Sequence, residues 1–292
     1  MAHVSSHESS AVIDFGEEAE RFREHADDKA EGERRAAARI SRESDAVIVD
    51  VGCGAGGMAL ALAASHPGAR VIAVDAEQAL VDLARERAED AGLAVETAVS
   101  NIDEPERLAK AVGAPADLVW AGHVLHHAAD QQAALDTLAG LLATGGRLAI
   151  GEGGVASQFL PWNVGIGRPG LELRLAEAGS RRMEAENLEH RAEPMPYGWN
   201  LALERAGLAE VSVINDVTAL PAPLEGEALK RALHVLSSRV GWFEDFIDAE
   251  DQVVWETLLD EDSPHWLGRR RDLHHLEIQS IYMGVSPGSS DG

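Results

Sequence analysis

The run Val47-Ile-Val-Asp-Val-Gly-Cys-Gly-Ala-Gly-Gly57 restricts the fold more than any other part of the chain. Its mostly β-branched start reads as a buried strand, and the glycines stop it abruptly. A chain that leaves a strand through glycines can turn tightly, and it presents no Cβ to obstruct a ligand. Glycines 52, 54 and 57 also satisfy G-x-G-x-x-G, which alone points only weakly to a dinucleotide. Two acids sharpen the reading. Asp50 stands just before the first glycine, where a carboxylate repels a pyrophosphate and attracts an ammonium or sulfonium. Asp75 ends the next apolar run, Val71-Ile-Ala-Val-Asp75, where an acid can accept both hydroxyls of a ribose. Strand, acid, glycine loop, helix, strand and acid in one unit indicate a nucleoside-type cofactor.

The alternation continues beyond this unit. Helices are expected at 58–65, 77–91 (closed by Gly92), 104–112 and 130–142, and strands at 95–99, from Asp117, and at 147–150. Such spacing predicts βαβ units with right-handed crossovers and a parallel sheet. The regularity ends after Glu152. A stretch rich in Gly, Pro and Trp follows, with a helix around 170–190, then a helix at 201–207, a strand at 211–214 and a closing strand at 275–285. Upstream, Asp14 to Ser44 is charged and Ala-rich with sparse apolar positions (Phe15, Phe22, Ile40), and reads as one or two helices. Residues 1–12 are expected to be disordered. The division that results is an N-terminal helical segment 1–45, a cofactor-binding core 46–152, a lid or acceptor-binding insert 153–200, and C-terminal strands 201–292 that complete the sheet around a helical insert, 221–262.

Composition narrows the function. A length of 292 residues allows one large α/β domain or two small ones at ~150 residues each. The net charge of −25 opposes a phosphate backbone, so no nucleic-acid partner is expected. Cys53 is the single cysteine and suits a reducing compartment. The N-terminus turns acidic where a secretory leader is apolar, and no apolar run approaches the ~18 residues of a membrane span. These features describe a soluble, cytoplasmic chain. Arg supplies 22 of the 25 basic residues, which with the high Ala content suggests a GC-rich bacterial genome. Five of the six tryptophans follow residue 150, marking a second core or a pocket for an organic ligand.

Asp50-Val-Gly-Cys-Gly-Ala-Gly56 followed by Val71-Ile-Ala-Val-Asp75 resembles the first two motifs of class I S-adenosylmethionine-dependent methyltransferases. The likeness continues through Asn101-Ile-Asp103, Ala116–His127 and Leu138–Ile150, and more loosely at Leu203–Val211. It implies an α/β fold: a Rossmann-like, seven-stranded, mostly parallel sheet with helices on both faces, an antiparallel last strand, and a mostly helical lid or insert. The resemblance assigns Asp50, Gly52, Cys53, Gly54 and Gly56 to the methionine end of S-adenosyl-L-methionine, Asp75 to the ribose, and Ala76 and Ile102 to the adenine faces. Asn101 or Asp103 would bond the exocyclic amine, although the family usually has an acid where Asn101 stands. His123 would lie near the methionine moiety. The likeness is to bacterial small-molecule methyltransferases, including those acting on quinones and secondary metabolites.

The acceptor side is read from the residues. Methyl transfer mainly needs alignment and exclusion of water, and it needs a base only for a poorly ionised hydroxyl or amine. His126 and His127, at the exit of strand four, are the candidate bases; either could instead cap the next helix or make a polar contact. His123 and His127 have zinc-like spacing but no third ligand nearby, so no metal is expected. Glu152, placed just past strand five, is an acceptor contact or a cap. Cys53, with no partner base, reads as packing. Trp162, Arg168, Tyr197 and Trp199 are candidate acceptor-binding residues in an aromatic lid, with a static second core as the bland alternative. Arg168, Arg174, Arg181 and Arg182 either hold an acidic acceptor or pair with Glu172, Glu177 and Glu184. Arg269–Arg271 reads as intramolecular ion pairing. The expected activity is methylation of a small organic acceptor, oxygen favoured over nitrogen or carbon, in bacterial specialised metabolism, and a homodimer is allowed. The alternatives are an NAD(P)-dependent oxidoreductase, opposed by Asp50, and a non-catalytic S-adenosylmethionine-binding protein.

Overall fold

A computed structural model describes residues 15–190 and 195–288. The expected tail at 1–12 lies outside the described residues, as do the side chains of Phe15 and Phe22. One sheet organises the chain, in the order β3-β2-β1-β4-β5-β7-β6. Its strands are β1 (Val47–Val51), β2 (Arg70–Asp75), β3 (Val95–Val99), β4 (Ala116–Gly122), β5 (Leu142–Gln158), β6 (Ala209–Leu220) and β7 (His275–Val285). The first five are parallel, and β7 runs antiparallel to both β5 and β6.

Period-two alternation in β1 and its neighbours sends side chains to two separate layers. Ile48, Val71, Ala73 and Leu118 pack on one face against α1 (Phe15–Ile40) and α2 (Gly57–Ser65), through Ile40, Met58 and Leu62. Val49, Val51, Ile72 and Val119 face the other way, toward Leu108 of α4 (Pro105–Val112), Leu135 and Leu138 of α5 (Gln131–Ala139), and Leu203 of α7 (Trp199–Arg205). Burying each large aliphatic side chain contributes ~1.5–3 kcal/mol, against ~0–1 for an exposed ion pair, so the two layers fix the sheet. Coverage of both faces explains why β1 and β2 read as continuous apolar runs. Ala84 of α3 (Gln78–Asp90) comes close to Gly56, the N-cap of α2. Gly56 permits that approach, since an added Cβ would lie 2.9 Å from the Ala84 methyl.

A third core sits apart from the sheet. Phe159, Leu160 and Val164 pack with α6 (Leu171–His190), α8 (Gly226–Trp242) and α9 (Ala249–Leu259), around the fully buried Trp255. Much of the 153–200 insert therefore serves as core. The expected strand at 147–150 is longer in the structure, because β5 continues through Gly153 and Gly154 to Gln158. Residues 151 and 154 face 281 and 279 of β7, so one extra residue bulges out. Gly154 is required there, since a Cβ would fall 2.0 Å from the Ile278 carbonyl oxygen. β6 likewise exceeds the expected 211–214, as Asn215 and Asp216 interrupt its apolar pattern without ending its pairing. The helix expected at 130–142 stops at Ala139. Asp130 is its N-cap, accepting from the Ala133 amide, and Leu142 already belongs to β5. The N-terminal charged segment is one helix.

Candidate functional site

Five parallel strands deliver their carboxyl ends to one edge, which places the glycine loop, Asp75, Asn101 and His123 side by side. The Gly52 and Cys53 amides both donate to the Val74 carbonyl, at 2.8 and 3.0 Å, so the loop folds back over β2. One Asp75 oxygen accepts from the Gly54 amide at 2.9 Å and the other from Glu77 at 3.0 Å. The same carboxylate thus aims the loop and remains at the rim of the sheet. Asp50 is 2% exposed and accepts from the Ala59 amide at 2.9 Å. Burial, then the neighbouring Glu33, push its carboxyl up to about 8.

The glycines divide their duties. A Cβ on Gly52 would lie 2.4 Å from a Val124 methyl, and one on Gly57 would meet the Glu33 carboxylate. Gly54, in the left-handed region at φ 52°, has nothing within 4 Å of its added Cβ. It is the loop position open to a ligand. Cys53 is buried, and its thiol is pushed well above its ordinary value by burial first, then by Asp50 and Asp75. Packing is its visible role. Ile102 is buried behind the end of β3, Ala76 and Asp103 are exposed, and the Asn101 side-chain oxygen accepts from the Asp103 amide at 2.9 Å. Asn101 shapes that turn.

Glu152 lies inside β5, and its position corrects the reading of it as a group just past the strand. It is 3% exposed and takes the Val124 and Leu125 amides at 3.0 and 2.9 Å on one oxygen, and His126 Nδ1 at 2.9 Å on the other. The carboxylate therefore clamps the strand-four exit and orients one imidazole. His123 adopts φ 56°, rare for a residue with a side chain. His123 is solvent-exposed at the strand exit, yet the protein around its ring lowers its imidazole to about 4, desolvation first and the Lys29 ammonium second.

A cleft of about 1540 Å³ runs from Gly54 and Asp50 past His123, His126 and Glu152 to Trp199 and the β6–β7 ribbon. The structure brings these sequence-predicted residues together. His127 is exposed, its ring centroid 4.0 Å from that of His126, and it is not among the cleft-lining residues. Trp162 is 67% exposed and lies over Gly170. Tyr197 donates to Gln132 Oε1 at 3.0 Å with the Arg205 guanidinium over its ring. Arg168 pairs with Asp248, Glu250 and Asp251, and Arg174 with Asp251 at 2.5 Å. These arginines tie α6 and the loop before it to α9, whereas the sequence suggested acids on their own helix. Arg269 and Arg270 hold mainly backbone carbonyls, Arg270 also pairing with Asp272. Among the described residues no group of His, Cys, Asp or Glu could hold a metal ion, and no helix is long and apolar enough to cross a membrane.

The sequence gives no sign of the cleft residues Lys29 and Glu33 on α1, Arg231 and His234 on α8, and Glu277 on β7. On α1 such charges look like a solvated face, and only tertiary packing turns Glu33 inward.

A sheet in this order, with an open glycine loop and an acid-tipped second strand, defines the class I S-adenosylmethionine-dependent methyltransferase fold. Comparison with known proteins agrees. Residues 49–148 match the family model described as a methyltransferase domain. Over 113 residues the chain is 37% identical to a trans-aconitate 2-methyltransferase of Methylobacterium radiotolerans, covering 39% of this chain and 40% of that one. It is 36% identical over 107 residues to a ubiquinone biosynthesis O-methyltransferase of Xylella fastidiosa, covering 37% and 42%. The chain thus spans about two fifths of the length of these curated relatives. An O-methyltransferase family protein from Burkholderia thailandensis shares the fold at 16% identity and a TM-score of 0.50, over 94% of this chain and 62% of that one. Residues 49–148 are a methyltransferase domain of this class, the class whose methyl donor is S-adenosylmethionine.

Proposed function

We propose that the protein transfers the methyl group of S-adenosylmethionine to an oxygen of a small organic acceptor bound in the cleft. One observation carries this reading: the open Gly54 loop and the His126–Glu152 pair face the same cleft. The trans-aconitate 2-methyltransferase and the ubiquinone biosynthesis O-methyltransferase it resembles in part are named for small organic molecules, which supports that class here. Bacterial specialised metabolism is the proposed setting. Residues 46–152 serve as the cofactor core, and 153–200 with 201–292 build the acceptor side.

The residues fit the cofactor. Gly54 leaves room where a Cβ would intrude, Asp75 stands at the rim for the ribose hydroxyls, and Asp50, raised to about 8 on its own, would ionise beside a bound cation. When bound, the cofactor supplies an electrophilic methyl carbon on a sulfonium leaving group. The acceptor oxygen bonds that carbon as the carbon–sulfur bond breaks, and its proton must leave. His126 is the base: with Nδ1 held by Glu152, Nε2 is free to take the proton. Trp120, Met183 and Trp199 give the cleft an apolar lining.

Calorimetry with S-adenosylhomocysteine tests this directly. The wild type should bind, and Asp75→Ala should lose ~2–4 kcal/mol of affinity as charge-assisted hydrogen bonds disappear. Unchanged affinity in the variant, or tight NAD binding by the wild type, would sink the proposal.

A further inference from the structure

Glu33 reaches from α1 onto the first turn of α2. A Cβ built on Gly57 would lie 2.2 Å from its Oε2 and 2.6 Å from its Oε1, so the carboxylate occupies the cradle which that glycine leaves. Oε2 is buried and has no hydrogen-bond partner. The helix it touches begins at Gly56 with no side-chain cap, so its leading amides offer a positive end. Glu33, Asp50 and Gly54 line the same part of the cleft. Among the described residues Glu33 makes no ion pair. Arg87 is engaged with the Ala55 carbonyl and Asp27.

We infer that Glu33 is a cofactor-binding residue whose carboxylate, with Asp50, receives the α-ammonium of S-adenosylmethionine. This rests on the proposed cofactor site and adds a residue to it. A ligand carboxylate would be repelled by these two acids, whereas an ammonium beside them offsets their charge. The charged groups facing Glu33 leave its charge incompletely offset. Burial raises its carboxyl, and Lys29 and Arg34 on its own helix and Arg87 on α3 only partly offset that rise. Asp50 in turn is raised by Glu33. An N-terminal helix outside the matched domain thereby closes over the cofactor.

The test compares the full chain with Glu33→Gln and Glu33→Asp by calorimetry and thermal unfolding. The probes are S-adenosylmethionine, S-adenosylhomocysteine and 5′-methylthioadenosine, which lacks the amino-acid end. Glu33→Gln should weaken both amino-acid-bearing ligands ~10-fold or more and Glu33→Asp less, with methylthioadenosine unaffected. The unliganded melting temperature should hold or rise, since a buried unpaired charge is removed. Equal affinities in wild type and Glu33→Gln, with or without a lower melting temperature, would mean that Glu33 only supports α2 and would overturn the inference. A loss confined to S-adenosylmethionine would place Glu33 at the sulfonium and overturn the ammonium assignment. A wild type that binds none of the three would instead remove the methyltransferase reading itself.

Discussion

The two ends of the sheet are built on different rules. From Val47 to Gly122 the strands β1, β2 and β4 stop in backbone devices: a glycine turn, an acid holding amides, and a strained His123. From Glu152 to Val285 the chain relies on bulk. The long β5–β7–β6 ribbon and an aromatic core around Trp255 hold together through packing and through arginines bound to distant helices. Backbone devices accept few residue types, so they leave motifs. A packed core accepts many apolar sets of equal volume and leaves none. The difference also divides function. On the proposed function, one end fixes a constant ligand and the other can be reshaped to admit a new acceptor.

If the ends are separable, damage to one should spare the other. The largest expected effect is on stability: Trp255→Ala should lower it by ~3–5 kcal/mol in thermal or urea unfolding. Affinity for S-adenosylhomocysteine should stay within about twofold where the variant is folded. Coupled losses would show one indivisible unit. Next, His126→Ala should reduce kcat by ~10²-fold with cofactor affinity intact, and His127→Ala should do less. Equal, small effects would leave catalysis to proximity alone. A pH series probes the cofactor end by itself. Asp50 binds its proton more tightly folded than unfolded, so stability of the unliganded protein should fall as pH rises from about 4 to about 8. Cofactor affinity should move the opposite way, rising by up to ~10-fold per unit toward pH 8 as the carboxylate ionises. Smallest of all, Trp162→Ala should alter stability by less than ~0.5 kcal/mol and leave turnover unchanged. A marked fall in turnover would restore Trp162 to the acceptor site.

The legibility of the chain follows the same division. The first five strands, their helices, the glycine loop and Asp75 can be read directly, since alternation and glycine punctuation are local signals. The continuation of β5 is hidden because Gly153 and Gly154 look like a strand end, and only the partner strand reveals a bulge. Glu152 shows its acid in the sequence but not its three partners, which lie 26 to 28 residues away. Trp162 and Arg168 read as lid residues because aromatic and basic residues look alike in sequence whether they meet a ligand, a glycine or an acidic helix. The inward turn of Glu33 is the least legible of all, since it depends on where a whole helix rests.

That helix has a consequence for recombination. α1 is pinned at its end by the buried Arg147, which holds the Ile40 carbonyl and pairs with Asp45. Arg35 and Arg39 reach across to Asp216 on β6, while Glu33 touches the glycine loop. α1 is therefore a splint across a junction formed by residues far downstream. A chimera that grafts a relative's acceptor half onto this cofactor core must inherit residues 31–45 from the acceptor donor or redesign Asp216 and its neighbours. Its breakpoint cannot be a single cut in the sequence, and homologous exchange at the edge of residues 49–148 would leave the splint bound on one side only.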